Sequence, residues 1–554
     1  MTYQATKSPS AARTVPNAAR RDRLRPAGVL FCLLFFLEGL VFIPYLGLQN
    51  DEVLFAGAIF PPWGVLHTFR FAGHAFPTML LSYVGTLKAW IYRLFLFSLW
   101  PPNPWTVRLP VIIIGAITIW LFFEFARKAA GTRAALVATA LLSTDVTYVL
   151  TTCLDWGPVA LQHLLLMAGA LSLWSFHRSG KLLFLGGGFF AFGLGFWDKA
   201  LFVWSLTGLA AATALLFPRA LASKLSLRNL AIAVAALAAG AAPFIVYNHD
   251  SGFATIRESP PLSSARFGHK LLVLRNSLEG SALFGYIVRD EPALQPQQSE
   301  DPLELLSLRL SEAVGGTHTG LLALACVLAF TLLPWLWNTP ARKPMLFALI
   351  FSAVTWLQMA LTPKCGGGAH HAVLLWPFPH LFVAVAFAQA SRWLPRIGLI
   401  ALTLVTTTVC GSNLIVLNEH LARLVERGPT TIWTDAVYGL SQGLGNTAAS
   451  HVYVTDWGIL DTLRALNRGK LPLRIAEDWF LLNNEKKLPA SELAGGNAIF
   501  VGHTEGNEVK PEVTVQLEAL AQSVGLRKHV LRVVQDRNGR PIFEVYRYTR
   551  AVPK

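Results

Sequence analysis

The chain has 554 residues, 53% of them hydrophobic and only 14% charged, whereas a soluble protein carries roughly a quarter charged residues, so a soluble globular protein is excluded. The net charge of +15 is dispersed in short basic clusters between apolar runs, the pattern of cytoplasm-facing loops and not of a nucleic-acid surface. Five scattered cysteines (Cys32, Cys153, Cys326, Cys365, Cys410), none in CxxC spacing, imply neither a disulfide framework nor a zinc module.

The polar tail 1–26, with Arg13, Arg20, Arg21, Arg23 and Arg25, precedes an apolar run at 27–48. That run is too long for a signal-peptide core and has no A-x-A-like cleavage site, so it reads as an uncleaved first span with the tail in the cytoplasm. At about 20 apolar residues per span, ten more fall at 108–126, 134–151, 158–176, 182–197, 200–217, 229–247, 319–337, 345–362, 372–390 and 397–417. The run 182–217 is divided because one helix there would be about 54 Å long at ~1.5 Å per residue, against ~30 Å of hydrocarbon. Its turn falls at "FWDKA".

This count places a basic cluster in every short inner loop: Arg127, Lys128 and Arg133; Arg178 and Lys181; Arg219, Lys224 and Arg228; Arg342 and Lys343; Arg392 and Arg396. The outer segments are then 49–107, 248–318, 362–371 and everything after 418. In the first of these, "FRFAGHAFPTMLLSYVGTLKAWIYRLFLFSLWPPNPWTVRLP" contains two short apolar stretches that suit interfacial helices roofing a lipid-accessible cavity. Arg70, Lys88, Arg93 and Arg108 are its cations for a phosphate headgroup, although each also suits ordinary interfacial snorkelling. Residues 418–554 alternate strand and helix patterns, as in "SHVYVTDWGILDTLRAL" and "PIFEVYRYT", and read as a small soluble α/β domain on the outer side.

The polar residues at span ends converge. Asp51 and Glu52 follow the first span, Asp145 and Asp155 flank "STDVTYVLTTCLDWGP", Asp198 and Lys199 form a turn, and Lys364, His370 and His371 sit in the glycine-rich loop "TPKCGGGAHH". Singly, each has an equally good reading as a helix cap or headgroup contact. Together, acids and histidines outside and Arg and Lys inside favour one outward-facing polar site. Glu38, within the first span, either lines the cavity or is a structural carboxyl.

The order and spacing of "QNDE" (49–52), "FPTMLLSYVGTLKAWIYRL", "VRLPVIIIGAITIWLFFEFARKAAGTRAALVATALLSTD", "LDWGPVALQHLLL" and "GFFAFGLGFWDKALFVW" resemble the GT-C superfamily of integral-membrane glycosyltransferases over residues 27 to 390. The nearest relatives are similar to bacterial protein O-mannosyltransferases, lipid A aminoarabinose transferases and rhizobial core-oligosaccharide transferases. The resemblance implies a bacterial inner-membrane enzyme with a GT-C fold and a periplasmic C-terminal domain, taking a sugar from a polyprenyl-phosphate donor to a glycan, lipid or protein acceptor. It matches Asp51 to the family's catalytic base and Asp155 to the acidic residue of the second outer loop, with inversion as the outcome. Glu52 then shapes the site or caps the next helix, and Asp145 lies in its vicinity. Arg70, Lys88, Lys199, Lys364, His370 and His371 are the candidates for the donor phosphate. No cofactor is established; a divalent metal would find oxygen ligands in Asp51, Glu52 and Asp155, but no ligand spacing requires one. Two departures from the family, "TTCLD" without a preceding basic residue and "DEVLF" without a following Arg-Tyr, leave sugar and acceptor identity open.

Two other classes fit an outward-facing polar site. A transporter or flippase would show internal repeats, which are not found. A lipid-linked glycan ligase or polymerase would carry key arginines in a large late loop, and Arg257, Arg266, Arg275 and Arg289 in 248–318 keep that reading open.

Overall fold

The computed structural model describes residues 25–97, 99–292, 299–363, 365–445, 447–476, 493 and 497–550; Lys364 and most of the basic tail lie outside the described residues. Each of the eleven apolar segments coincides with a helix or a pair of helices. Among the described residues, four helices are long and apolar enough to cross a bilayer alone: Arg25–Tyr45, Pro104–Ala130, Arg342–Leu361 and Gly398–Arg427. Three bent pairs qualify as units, which raises the number to seven against the eleven predicted: Thr132–Ser143 with Val146–Cys153 (60°), Leu227–Gly240 with Ala242–Asp250 (73°) and Ala369–Leu375 with Phe378–Trp393 (46°).

The bends have local causes. The second helix of the first pair restarts at Asp145, whose carboxylate accepts the Tyr148 N–H at 2.7 Å. The second helices of the other two pairs carry proline in their first turn, where its missing N–H costs nothing but the preceding helix cannot continue. The run 182–217 is indeed two helices, Leu182–Asp198 and Phe202–Leu216. The last long helix, Gly398–Arg427, is about 45 Å long at ~1.5 Å per residue. It therefore overshoots a ~30 Å hydrocarbon core, and its final turns carry the Glu419 and Arg423 pair. Phe35, Phe122, Phe123, Phe202, Phe351 and Trp376 are fully buried where the helices meet.

The first outer segment departs from the expected pair of interfacial helices. "HTFRF" and "HAFPTMLL" are antiparallel strands, His67–Phe71 and His74–Leu81, with Val84–Gly85 as a third. Ala72 (φ 47°) and Gly73 (φ 78°) form the two-residue turn between them, and positive φ at both positions is what a tight hairpin requires. Of the predicted helices one remains, Leu87–Phe95. The sheet lies against the turn at 198–200: Trp197 Nε1 donates to Thr78 O at 2.9 Å and the Ala200 N–H to Tyr83 O at 2.9 Å. A Cβ at Gly85 would stand 1.7 Å from Trp197 O, so only glycine permits this approach.

The C-terminal region holds a five-stranded sheet in the order Leu473–Ile475, His451–Val454, Ala498–His503, Pro541–Arg550, Leu526–Gln535. The first three strands are parallel and the last two antiparallel. This region is docked on the chain just before Asp51. The Gly47 N–H donates to Trp433 O at 2.8 Å, Tyr438 OH to Leu46 O at 3.3 Å and Arg537 Nη2 to Pro44 O at 3.0 Å. Arg289, one of the arginines that kept the ligase reading open, is used here: it donates to Pro429 O at 3.1 Å and Thr431 Oγ1 at 2.8 Å.

Candidate active site

The chain that leaves the first span turns at Gln49, whose side-chain oxygen accepts the backbone N–H groups of Asp51 (2.7 Å) and Glu52 (3.2 Å). Glu52 completes a capping box with the Gln49 N–H. The two adjacent carboxylates are thereby sent in different directions. Glu52 is fully buried and meets Arg108 in a bidentate pair, Nε–Oε1 at 2.7 Å and Nη2–Oε2 at 2.9 Å. The same guanidinium donates to the carbonyls of Ile43 (2.9 Å), Leu46 (2.9 Å) and Gly47 (2.8 Å). Glu52 is thus a structural partner of Arg108 and not a group on the reaction face, and Arg108 is not free for a headgroup.

Asp155 is likewise committed. Its Oδ2 lies 2.6 Å from Lys88 Nζ and its Oδ1 accepts the Ala160 N–H at 3.0 Å. Lys88 also donates to Glu52 O at 3.0 Å and lies 4.5 Å from the centre of the Phe55 ring, so it is a buried tie between the two acidic segments and not an open phosphate ligand. Asp155 has a φ of 44°, a strained conformation for a non-glycine residue that the surroundings must hold in place. A Lys88→Met protein is expected to have a lowered Tm in detergent, because Asp155 stays buried with one backbone donor left. A Tm equal to wild type would show the pair to be idle.

Asp51 has the opposite surroundings. It lines a cavity of about 540 Å³ with Trp156, Val273, Asn276, Ala282, Tyr286, His370 and His371 among its walls. Burial raises the Asp51 pKa from 3.8, and Lys199 pulls it back in part. The Lys199 ammonium donates to Gly157 O at 2.7 Å. Gly157 has a φ of 74°, and a Cβ there would stand 2.7 Å from the His370 ring, so glycine is what lets that ring lie against the turn.

The structure therefore brings together Asp51, Lys199, His370 and His371 from the predicted set, with Asp155 adjacent in sequence to the lining residue Trp156. It separates the others. Asp145 caps a helix and its Oδ2 lies 3.1 Å from His380 Nε2, both buried in the bundle. Arg70 is exposed on the edge of the small sheet, and Arg93 is exposed and lies 5.7 Å from the Trp90 ring. Glu38 does not line the Asp51 cavity, and Lys364 is outside the described residues. Trp156, Tyr286 and Asn276 were missed. The tryptophan stands beside Asp155 in "LDWGP", the one signal that could have pointed to it.

The acids do not fit a metal. Both oxygens of Glu52 are held by Arg108 and those of Asp155 by Lys88 and a backbone N–H. Among the described residues no three His, Cys, Asp or Glu are grouped to hold one.

This helical bundle has counterparts of similar fold among solved structures. The fold matches ArnT from Cupriavidus metallidurans in two structures. One is bound to undecaprenyl phosphate (14% identity, 95% of this chain and 98% of that one, TM-score 0.56), and the other is apo (13%, 95% and 98%, TM-score 0.57). The fold is GT-C. The GT-C resemblance extends to the Archaeoglobus fulgidus oligosaccharyltransferase tethered to an acceptor peptide (12% identity, 96% of this chain and 74% of that one, TM-score 0.50). The family described as Dolichyl-phosphate-mannose-protein mannosyltransferase matches residues 85–247 of the GT-C region. No curated protein matches the chain.

Proposed function

We propose that this GT-C protein is an inverting glycosyltransferase that moves a sugar from a polyprenyl-phosphate donor to an acceptor hydroxyl on the outer face of the inner membrane, with Asp51 as general base. One observation carries the reading. Among the described residues, Glu52 and Asp155 are paired with buried cations, whereas Asp51 is the acid that lines the cavity. A base must bring an oxygen within ~3 Å of the proton it takes, and Asp51, whose carboxyl is met by Gln49, Asn50 and Trp156, lines the space an acceptor would fill.

In the proposed step the acceptor oxygen attacks the anomeric carbon as its proton passes to Asp51, and the bond from that carbon to the phosphate oxygen breaks. The polyprenyl phosphate departs as an anion, and the charge of Lys199, which already acts on Asp51 from behind the cavity wall, stabilises it in this reading. The structural likeness to ArnT bound to undecaprenyl phosphate supports a lipid-phosphate donor. The acceptor class, whether glycan, lipid or protein, is left open by these comparisons.

The test supplies radiolabelled polyprenyl-phosphate sugars to the protein in nanodiscs, with a membrane extract as acceptor. Absence of transfer from every donor would sink the reading. The pH profile adds a second check. The base works as a carboxylate and burial raises its pKa above 3.8, so the acid limb of kcat/KM is expected above the ordinary aspartate range. Because Lys199 opposes that rise, Lys199→Met should carry the limb to still higher pH. An unmoved limb would dissociate Asp51 from the titration.

A further inference from the structure

The last two strands of the C-terminal sheet, Leu526–Gln535 and Pro541–Arg550, sort their cations by face. On one face Lys528 is neutralised, by Glu544 and by Glu518 at 3.3 Å. The register sets the others on the opposite face. His529 stands directly across from Arg547, while Arg527 and Arg532, paired with Thr549 and Val545, are the diagonal neighbours of Arg547 on either side. Side chains so placed have Cβ atoms about 5 Å apart when opposite and ~7–8 Å apart on the diagonal. All four are exposed, and among the described residues none of the three arginines has an acidic partner.

Like charges gathered across a strand pair are destabilising, so the cluster has a cost in the free protein. Protection of a sheet edge accounts for Arg527 and Arg532, because their strand is the last one and basic side chains blunt such edges. It does not account for Arg547, which lies one strand in, beside Ala498–His503. Guanidinium groups take phosphate and carboxylate in paired hydrogen bonds, so three around one position fit a ligand with several negative charges. The place of the cluster restricts that ligand further. It lies on the sheet face that buries Val534, Phe543 and Val545 against helix Ala436–Leu444, and Tyr438 of that helix docks on Leu46. Arg532 itself lies against Gly443 of the same helix. From Arg527 to Gln535 the strand runs about 26 Å at ~3.3 Å per residue, and the turn after it reaches Pro44 through Arg537. A ligand that engages both the cluster and the Asp51 end of the bundle is therefore an extended chain and not a monosaccharide.

We propose that Arg527, Arg532 and Arg547, with His529, form the surface on which an acidic glycan chain docks as the acceptor. This rests on the transferase reading and adds the class of acceptor to it. The phosphate or carboxylate groups of the chain settle on the cluster, and a hydroxyl further along it is the one presented to the cavity. Attraction between charges at an exposed surface is screened by salt, so docking weakens as ionic strength rises.

The experiment uses the full-length protein in phosphatidylcholine nanodiscs with two fluorescent oligosaccharides of equal length, an oligogalacturonate and a maltooligosaccharide, and no donor. Wild type is expected to bind the acidic chain at least tenfold more tightly than the neutral one in low salt. The double variant Arg527→Gln, Arg547→Gln should weaken that binding fivefold or more. Lys470→Gln, Arg474→Gln removes the same charge from exposed positions at the other end of the sheet and should change it less than twofold. Acidic and neutral chains bound alike, or equal losses in the two double variants, overturn the proposal. So does hydrogen exchange in 526–532 and 545–550 that slows when phosphatidylglycerol replaces phosphatidylcholine but not when oligogalacturonate is added, which would make a lipid headgroup the occupant. Transfer from radiolabelled polyprenyl-phosphate sugars to a membrane extract is scored separately. At limiting extract it should fall fivefold or more in the arginine variant and recover at saturating extract; transfer unchanged by the variant overturns the acceptor role. Absence of transfer from every donor with selective binding intact overturns the transferase reading and the acceptor role with it, whereas loss of selective binding overturns the docking surface itself.

Discussion

An Arg108→Met protein is expected to lose about 3–5 kcal/mol of stability, read as a large fall in Tm in detergent. The physical cause is the Glu52 carboxylate, fully buried and left without its bidentate partner. Removing one member of a buried pair strands a charge, whereas replacing both by apolar groups of similar size does not. The double variant Glu52→Leu, Arg108→Met should therefore be more stable than Arg108→Met alone. Recovery will be incomplete, because the carbonyls of Ile43, Leu46 and Gly47 also lose their donor. If Arg108→Met melted with wild type, the pair would have no structural role and the account of Glu52 given above would fail.

Asp51→Asn is expected to lower transfer a hundredfold or more, the range for loss of a positioned general base, while leaving Tm close to wild type. The two readouts separate because the Gln49 cap takes the backbone N–H of residue 51, which the variant keeps, and because asparagine has nearly the same shape. The loss should fall on kcat with donor KM little changed, since proton transfer is made in the transition state and not in the bound complex. Transfer unaffected by the substitution would remove Asp51 from the chemistry. Asp155 would then be the acid to test, and its Lys88 pairing would need to open in the bound state.

Much of the architecture is legible in the sequence, because long apolar runs and basic inner loops are written directly in residue type. The division of 182–217 is legible from its length and holds in the structure. The number of crossings is less legible: bends at Asp145 and at the prolines of the other two pairs produce helices whose individual lengths say little about a span. The first outer segment was misread because apolar stretches were weighed by hydropathy, whereas the Ala72–Gly73 turn and the aromatic alternation around it specify a hairpin. At the site, residue type identified the acids but not their partners. Glu52 and Arg108 are 56 positions apart in sequence, and no local pattern in one chain reveals that they meet. Charge near a membrane marks Lys88 and Arg108 in the sequence as headgroup ligands, and burial makes them internal ties in the fold.

Residues 43–48 are gripped from two sides. Arg108 holds their carbonyls from within the bundle, and the C-terminal region takes the Gly47 N–H and the carbonyls of Pro44 and Leu46 from without. The segment that leads into Asp51 is thus also the seat of the C-terminal region, so any shift of one that moves these residues moves the other. Thermodynamic reciprocity then applies: whatever factor domain seating contributes to donor affinity, a bound donor returns to domain seating. The chain's far end, remote in sequence from Asp51, is thereby packed on the short segment that leads into it.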